Sequence, residues 1–359
     1  MATSRARVVP ESETQTDALQ IAHHVPPLRT TDAQKRLLTY MNAAALVLHL
    51  LNASLGTTLV KSGNPRVPAI APLFEYVTHG SSGAEFFMPM PKTIFRVGAL
   101  DGLLTFAWIT AFFHILYLWQ LHSPWYAKAV MAVLGGGGVN PLRWVEYSIT
   151  AGIMAAFGNL TVGISDFYLF LKVLCSNVAV QTVGYILEIL DHRDPLHKRV
   201  AGILWVQAFV LNFVNVAILL YQVFASSTHT YVFYYNVVPY AILFQTFGIV
   251  ASKSFNKTGF FRSDAYAEMW YIGLSLGTKF AVFWLGFSTY RGLEEARGFA
   301  PKTAGVNWDA VRYIASYGPM SAMLAAAAYE YGRFKRVEAV ESGKTKEPTL
   351  AGSKFKMSL

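Results

Sequence analysis

The chain of 359 residues has a single cysteine, Cys175, set inside an apolar segment. It cannot form an intrachain disulfide, so nothing here calls for an oxidising compartment. Charge is also scarce. Only 14% of the residues are Asp, Glu, Lys or Arg, against 53% that are hydrophobic. This balance, with a mean hydropathy of +0.34, excludes an ordinary soluble domain and indicates a polytopic membrane protein. The first 36 residues hold no apolar core of a cleavable signal. The glycines Gly135–Gly138 lack the lysine and Ser/Thr of a phosphate loop and read as a flexible connection. His23 and His24 have no metal-ligand partners at suitable spacing. The net charge of +9 lies mostly outside the apolar stretches. It reads as topology and lipid headgroup contact, not as a nucleic-acid surface.

Long apolar runs are plentiful. Seven stand out, at about 37–60, 98–121, 140–163, 166–190, 199–224, 230–252 and 264–290. Each supplies the ~20 residues that a helix needs to cross ~30 Å of hydrocarbon. An eighth candidate, 307–331, opens on the cap signal Asn307/Asp309 and has a kink candidate at Pro319. The fold class expected is therefore an all-α membrane protein, a seven-transmembrane helical bundle with an added eighth helix at its carboxyl end. Between the first two runs, Phe74-EYVT and Ala84-EFFM flank His79-GSSG, which suggests a small β-hairpin in a long outside loop, 61–97. The tails 1–36 and 332–359 lack periodicity and read as mobile, the second one strongly basic. Lysine and arginine bias places the amino terminus, and with eight spans the carboxyl terminus, in the cytoplasm.

Lys279 sits near the middle of the seventh run. An ammonium at that depth costs about 2.5–3.5 kcal/mol on insertion scales. Such an amine must be paired, solvated in a cavity or chemically used, and a desolvated lysine is a candidate for Schiff-base chemistry. Residues four and seven apart share a helix face. Glu268, Ser275 and Lys279 therefore form one stripe, as do Asn177, Gln181 and Glu188, then Gln207, Asn215 and Gln222, while Asn42, His49 and Asn52 lie close to one face. Together they suggest a polar, water-bearing interior. The third run opens with Asn140-PLRWVEYSIT-Thr150. Pro141 suits a helix start, Arg143 is expected to reach the cytoplasmic interface, and Glu146 falls two turns in. Its best buried partner is Lys279, with an attraction of roughly 4 kcal/mol at ~4 Å and an effective dielectric near 20. A local pair with Arg143 is the alternative.

A buried lysine on the seventh helix and a carboxylate on the third resemble a retinal-binding rhodopsin. Arg143-WVEYS and Leu274-SLGTKFAVFW are similar to the third- and seventh-helix signatures of the heliorhodopsins, and Leu48-HLLN and Phe113-HIL to that family's histidine-bearing stretches. The resemblance covers about residues 37–291 and includes the inverted topology and the hairpin-like outside loop. It implies that Lys279 carries all-trans-retinal as a protonated Schiff base, with Glu146 as counterion, Ser275 as a Schiff-base hydrogen-bond partner and Tyr147 at the chromophore. His49, His114 and Asn52 would belong to a polar network that receives a released proton. It also implies a homodimer. The chain departs from the family after Tyr290, where most members end soon and this one continues.

Two functions then compete, neither of them enzymatic. One is a light sensor without net transport, signalling to a partner. The other is light-activated proton transport, with Glu188 and Glu268 as relays on the cytoplasmic side and Asp101 and Asp166 lining an outer path. A third class is a retinal-free transporter or receptor in which Lys279 and Glu146 pair structurally. It lacks the inverted repeat of broken helices that a transporter would show.

Overall fold

The structure, a computed structural model, describes residues 32–60, 66–78, 85–98, 100–123, 140–161, 165–191, 193–225, 238–257, 261 and 264–296, with single residues and short runs between 307 and 329. Its elements in chain order are α1 (Asp32–Val60), β1 (Arg66–Thr78), β2 (Glu85–Gly98), α2 (Asp101–His122), α3 (Pro141–Thr161), α4 (Phe167–Ile189), α5 (Pro195–Ala225), α6 (Val238–Phe255) and α7 (Asp264–Ala296). The seven expected spans are thus present as helices. The first begins earlier than expected, so residues 32–36 are helix and not tail. Residues 230–237 of the expected sixth span, the tails 1–31 and 332–359 and the hairpin turn at 79–84 lie outside the described residues.

Four helices, α1, α2, α4 and Pro195–Tyr221 of α5, are long and apolar enough to cross a membrane by composition alone. Their large apolar side chains point outward. Leu51, Leu55, Trp108, Phe112, Val210 and Phe213 are all exposed on the bundle surface. Buried polar groups point inward, among them Asn42, His49, Asn177 and Asn215. This is the arrangement that a hydrocarbon solvent selects, because an unpaired polar group facing lipid is costly. Gln207 departs from it. Its side chain is exposed, so it does not join Asn215 in the polar interior as the stripe on α5 suggested.

Helix starts are locally encoded. Pro141 and Pro195 open α3 and α5, where a missing N–H is harmless. Asp166 Oδ1 accepts the Leu169 amide at 2.7 Å, and Asp194 Oδ1 accepts that of Leu196 at 2.7 Å. Asp101 Oδ2 accepts the Gly98 amide at 2.8 Å, joining the end of β2 to the start of α2. Asp101 and Asp166 are therefore seated at the starts of their helices.

β1 and β2 form one antiparallel hairpin, paired from Arg66–Gly98 to Thr78–Glu85 with a bulge at Ala69/Ile70. They are longer than the short pieces expected. The Ile70 amide donates to the Ser165 carbonyl at 2.7 Å, and Phe95 meets Phe167 edge-on at 5.7 Å, which docks the hairpin on the start of α4. Beyond α7, the described residues from Ala310 to Tyr329 are helical. Asn307 Oδ1 caps this segment by accepting the Ala310 amide at 3.1 Å. Ala315 is buried against Leu243 of α6 and Ala281 and Leu285 of α7. Asp309 lies outside the described residues.

Candidate functional site

Lys279 and Glu146 meet in the centre of the bundle. The ammonium Nζ donates to Glu146 Oε1, with both side chains 2% exposed. α7 brings Lys279 in, and α3 presents Glu146 one turn past Arg143. The local pair between Glu146 and Arg143 does not form. A buried ion pair holds only when its remaining lone pairs are also satisfied. Here Tyr117 of α2 supplies the second donor, its hydroxyl bonding Glu146 Oε2 at 2.5 Å. The Tyr147 ring lies 5.3 Å from Nζ, within cation–π range. The Tyr147 hydroxyl donates to the Tyr271 carbonyl at 3.0 Å, which fixes the ring between α3 and α7. Ser275 and Thr278 are buried beside Lys279.

Lys279 lines a cavity bounded by α3, α4, α5, α6 and α7. Its walls include six aromatic residues, Trp144, Tyr147, Trp205, Phe209, Phe244 and Phe247. Gly184 is needed here. A Cβ at that position would lie 2.2 Å from the Trp144 ring. An apolar, aromatic-lined cavity with a paired lysine at one wall fits an elongated polyene aldehyde.

A second ionic cluster stands at the amino-terminal end of α3. Arg143 is buried at 4% exposure and bonds Glu188 of α4 at 3.0 Å and Glu268 of α7 at 2.7 Å. Its guanidinium also stacks over the Tyr271 ring at 4.0 Å. Asn140 Nδ2 donates to Glu268 at 2.9 Å, and Trp144 Nε1 to Glu188 at 2.8 Å. Arg143 therefore does not reach for the interface, as expected from its place near a helix start. Two carboxylates on neighbouring helices hold it inside. Glu268 and Glu188 thus share this one cation.

The histidines form a third group, continuous with the first. His49 and His114 stack with ring centroids 5.6 Å apart, and His114 sits edge-on to Tyr117 at 5.5 Å. His114 Nδ1 and Asn42 Oδ1 are bonded at 2.9 Å. Two hydrogen-bonded groups, Asn42–His114 and Tyr117–Glu146–Lys279, thus meet at the ring contact between His114 and Tyr117, across α1, α2, α3 and α7. Asn52 stands apart from them, since its Oδ1 accepts from Trp284 Nε1 at 3.0 Å.

Sequence reasoning paired Lys279 with Glu146 and grouped the histidines. It missed Tyr117, which lies three residues after His114 and so shares its helix face. It also missed Asn212, which is buried and lines the cavity although no stripe singled it out. Among the described residues no group of His, Cys, Asp or Glu is set to hold a metal ion.

A bundle of apolar helices around a lysine–carboxylate pair and an aromatic cavity defines a rhodopsin-type integral membrane protein. The heliorhodopsin family model matches residues 38–290, more than half of the chain, and the protein belongs to that family. It is accordingly a rhodopsin-type light-sensing protein, and membership implies a retinal chromophore. The match ends at Tyr290, so the helical segment between Ala310 and Tyr329 lies beyond it. A search of curated proteins returns no match.

Proposed function

We propose that Lys279 carries all-trans-retinal as a protonated Schiff base and that Glu146 is its counterion. The observation that carries this reading is the buried Lys279–Glu146 pair at the wall of an aromatic cavity. Retinal supplies visible absorption and light-driven isomerisation. The chain supplies everything that responds. Glu146 compensates the charge on the amine, and Tyr117 holds the carboxylate in place. Tyr147 flanks the amine, and Ser275, one turn away, offers a hydroxyl to it. When the amine gives up its proton, Glu146 is the nearest base, and the His114–Asn42 pair beyond Tyr117 is the acceptor group toward α1. His49, stacked on His114, completes that acceptor group.

The function best supported is a photoreceptor in which this proton transfer drives helix movement, read out by a partner. Arg143 favours it. It joins α3, α4 and α7 through Glu188 and Glu268, so a shift of any one helix is felt by the other two. Light-activated proton transport is the second reading. It draws support from polar groups on two sides of Lys279, the histidine chain and the Arg143 cluster. We assign the amino terminus to the cytoplasm on the lysine and arginine bias, take 307–331 as an eighth span, and expect a homodimer. Photocurrents recorded across voltage and pH separate the readings. A current abolished by Glu188→Gln or Glu268→Gln supports transport through that cluster. Absence of current, with a complete photocycle, supports the sensor.

A further inference from the structure

The proposed chromophore cavity has walls of two characters. α7 packs on α1, α2, α3 and α6, and α4 and α5 face it across the cavity. That far wall carries carboxamides: Gln181 on α4, Asn212 on α5 and, beside them, Gln245 on α6. Two interhelical bonds set their heights. Asn215 Nδ2 donates to Ser176 Oγ at 3.2 Å, which puts Asn212 level with the stretch between Asn177 and Gln181. Trp205 Nε1 donates to the Gly248 carbonyl at 3.0 Å, which puts Gln245 about one helical turn from Asn212.

Neighbouring amides on these helices are engaged. Asn177 bonds the Val173 carbonyl at 3.0 Å, and Asn215 bonds Ser176. Gln181, Asn212 and Gln245 make no hydrogen bond with another described residue. Asn212 is only 8% exposed and lines the cavity. An amide facing the cavity is left unpaired when a hydrocarbon ring fills the space in front of it. A hydroxyl can, because it accepts from one amide N–H and donates to another amide oxygen.

Resting on the assignment of retinal to Lys279, we propose that this far wall is a subsite for an oxygenated ring, so that the chain prefers a ring-hydroxylated retinal over retinal itself. Asn212 is the central contact, with Gln181 and Gln245 flanking it. Specificity of this kind is strong when the site's own polar groups go unpaired with the wrong ligand.

The test uses full-length protein expressed without retinal and offered an equimolar mixture of all-trans-retinal and all-trans-3-hydroxyretinal. Bound aldehyde is released with hydroxylamine and quantified. The wild type is expected to take the hydroxylated aldehyde in at least about tenfold excess, equivalent to about 1.4 kcal/mol. In Asn212→Leu the two should be taken about equally. Gln245→Leu should reduce the preference partially and guards against a folding defect in the first variant. Equal uptake by the wild type overturns the subsite while leaving the retinal assignment intact. So does a preference that survives in both variants. A folded protein that gives no visible band with either aldehyde overturns the retinal assignment and the subsite together.

Discussion

Tyr117 on α2 donates its hydroxyl hydrogen to Glu146 on α3 at 2.5 Å, on the carboxylate oxygen that Lys279 does not occupy. One carboxylate thus joins the lysine to the histidine group, because Tyr117 also lies edge-on to His114. A hydrogen bond to a charged acceptor contributes about 1.5–3 kcal/mol. In Tyr117→Phe one oxygen of the buried carboxylate loses its donor, so the visible band should be lost sooner on heating than in the wild type. The half-life of the band at raised temperature checks this, and a half-life equal to that of the wild type would remove Tyr117 from the counterion.

Glu146→Gln leaves the Lys279 charge without its partner. Removing one member of a buried pair costs about 3–5 kcal/mol. The protonated form should absorb at longer wavelength, since the counterion no longer holds the charge at the nitrogen. A spectrum of the purified variant with all-trans-retinal, beside that of the wild type, decides it.

Arg143→Met strands two carboxylates, Glu188 and Glu268, in the bundle. We expect a loss of about 3–5 kcal/mol, read as a shorter half-life of the visible band on heating. Adding Glu188→Gln and Glu268→Gln to the same chain should recover part of the loss, because the uncompensated charge is gone. A single variant as durable as the wild type would mean that the cluster is not a structural tie.

Gly184→Ala pushes a methyl group into the Trp144 ring. The ring must move, which breaks its bond to Glu188 and reshapes the cavity wall. A cost of about 1–3 kcal/mol and a displaced absorption band are expected. Gly152→Ala is the control, since its Cβ would meet nothing closer than 3.6 Å. Equal behaviour of the two variants would contradict the packing described.

Much of this was legible in the sequence, for a simple reason. In hydrocarbon a charge must have a partner, so Lys279 demanded one and Glu146 was the best buried acid. The seven helices followed from apolar length, although α3, α6 and α7 are less apolar or shorter than the other four. Arg143 was misread. Proximity to a helix start suggests snorkelling, and only the packing of α4 and α7 against α3 shows the two carboxylates that keep it inside. Tyr117 was invisible because a tyrosine in an apolar run looks like core until a carboxylate is placed opposite it. Asp101 and Asp166 lie at helix starts, as their positions near the ends of the apolar runs suggested, and each accepts a backbone amide there.

The central claim is that Lys279 holds the chromophore, and an absorption spectrum of the purified protein with all-trans-retinal, beside Lys279→Ala, tests it most directly. A visible band in the wild type that is absent from a folded Lys279→Ala variant is the predicted result. A folded, membrane-inserted wild type without colour, or a band that survives the loss of Lys279, would contradict the account.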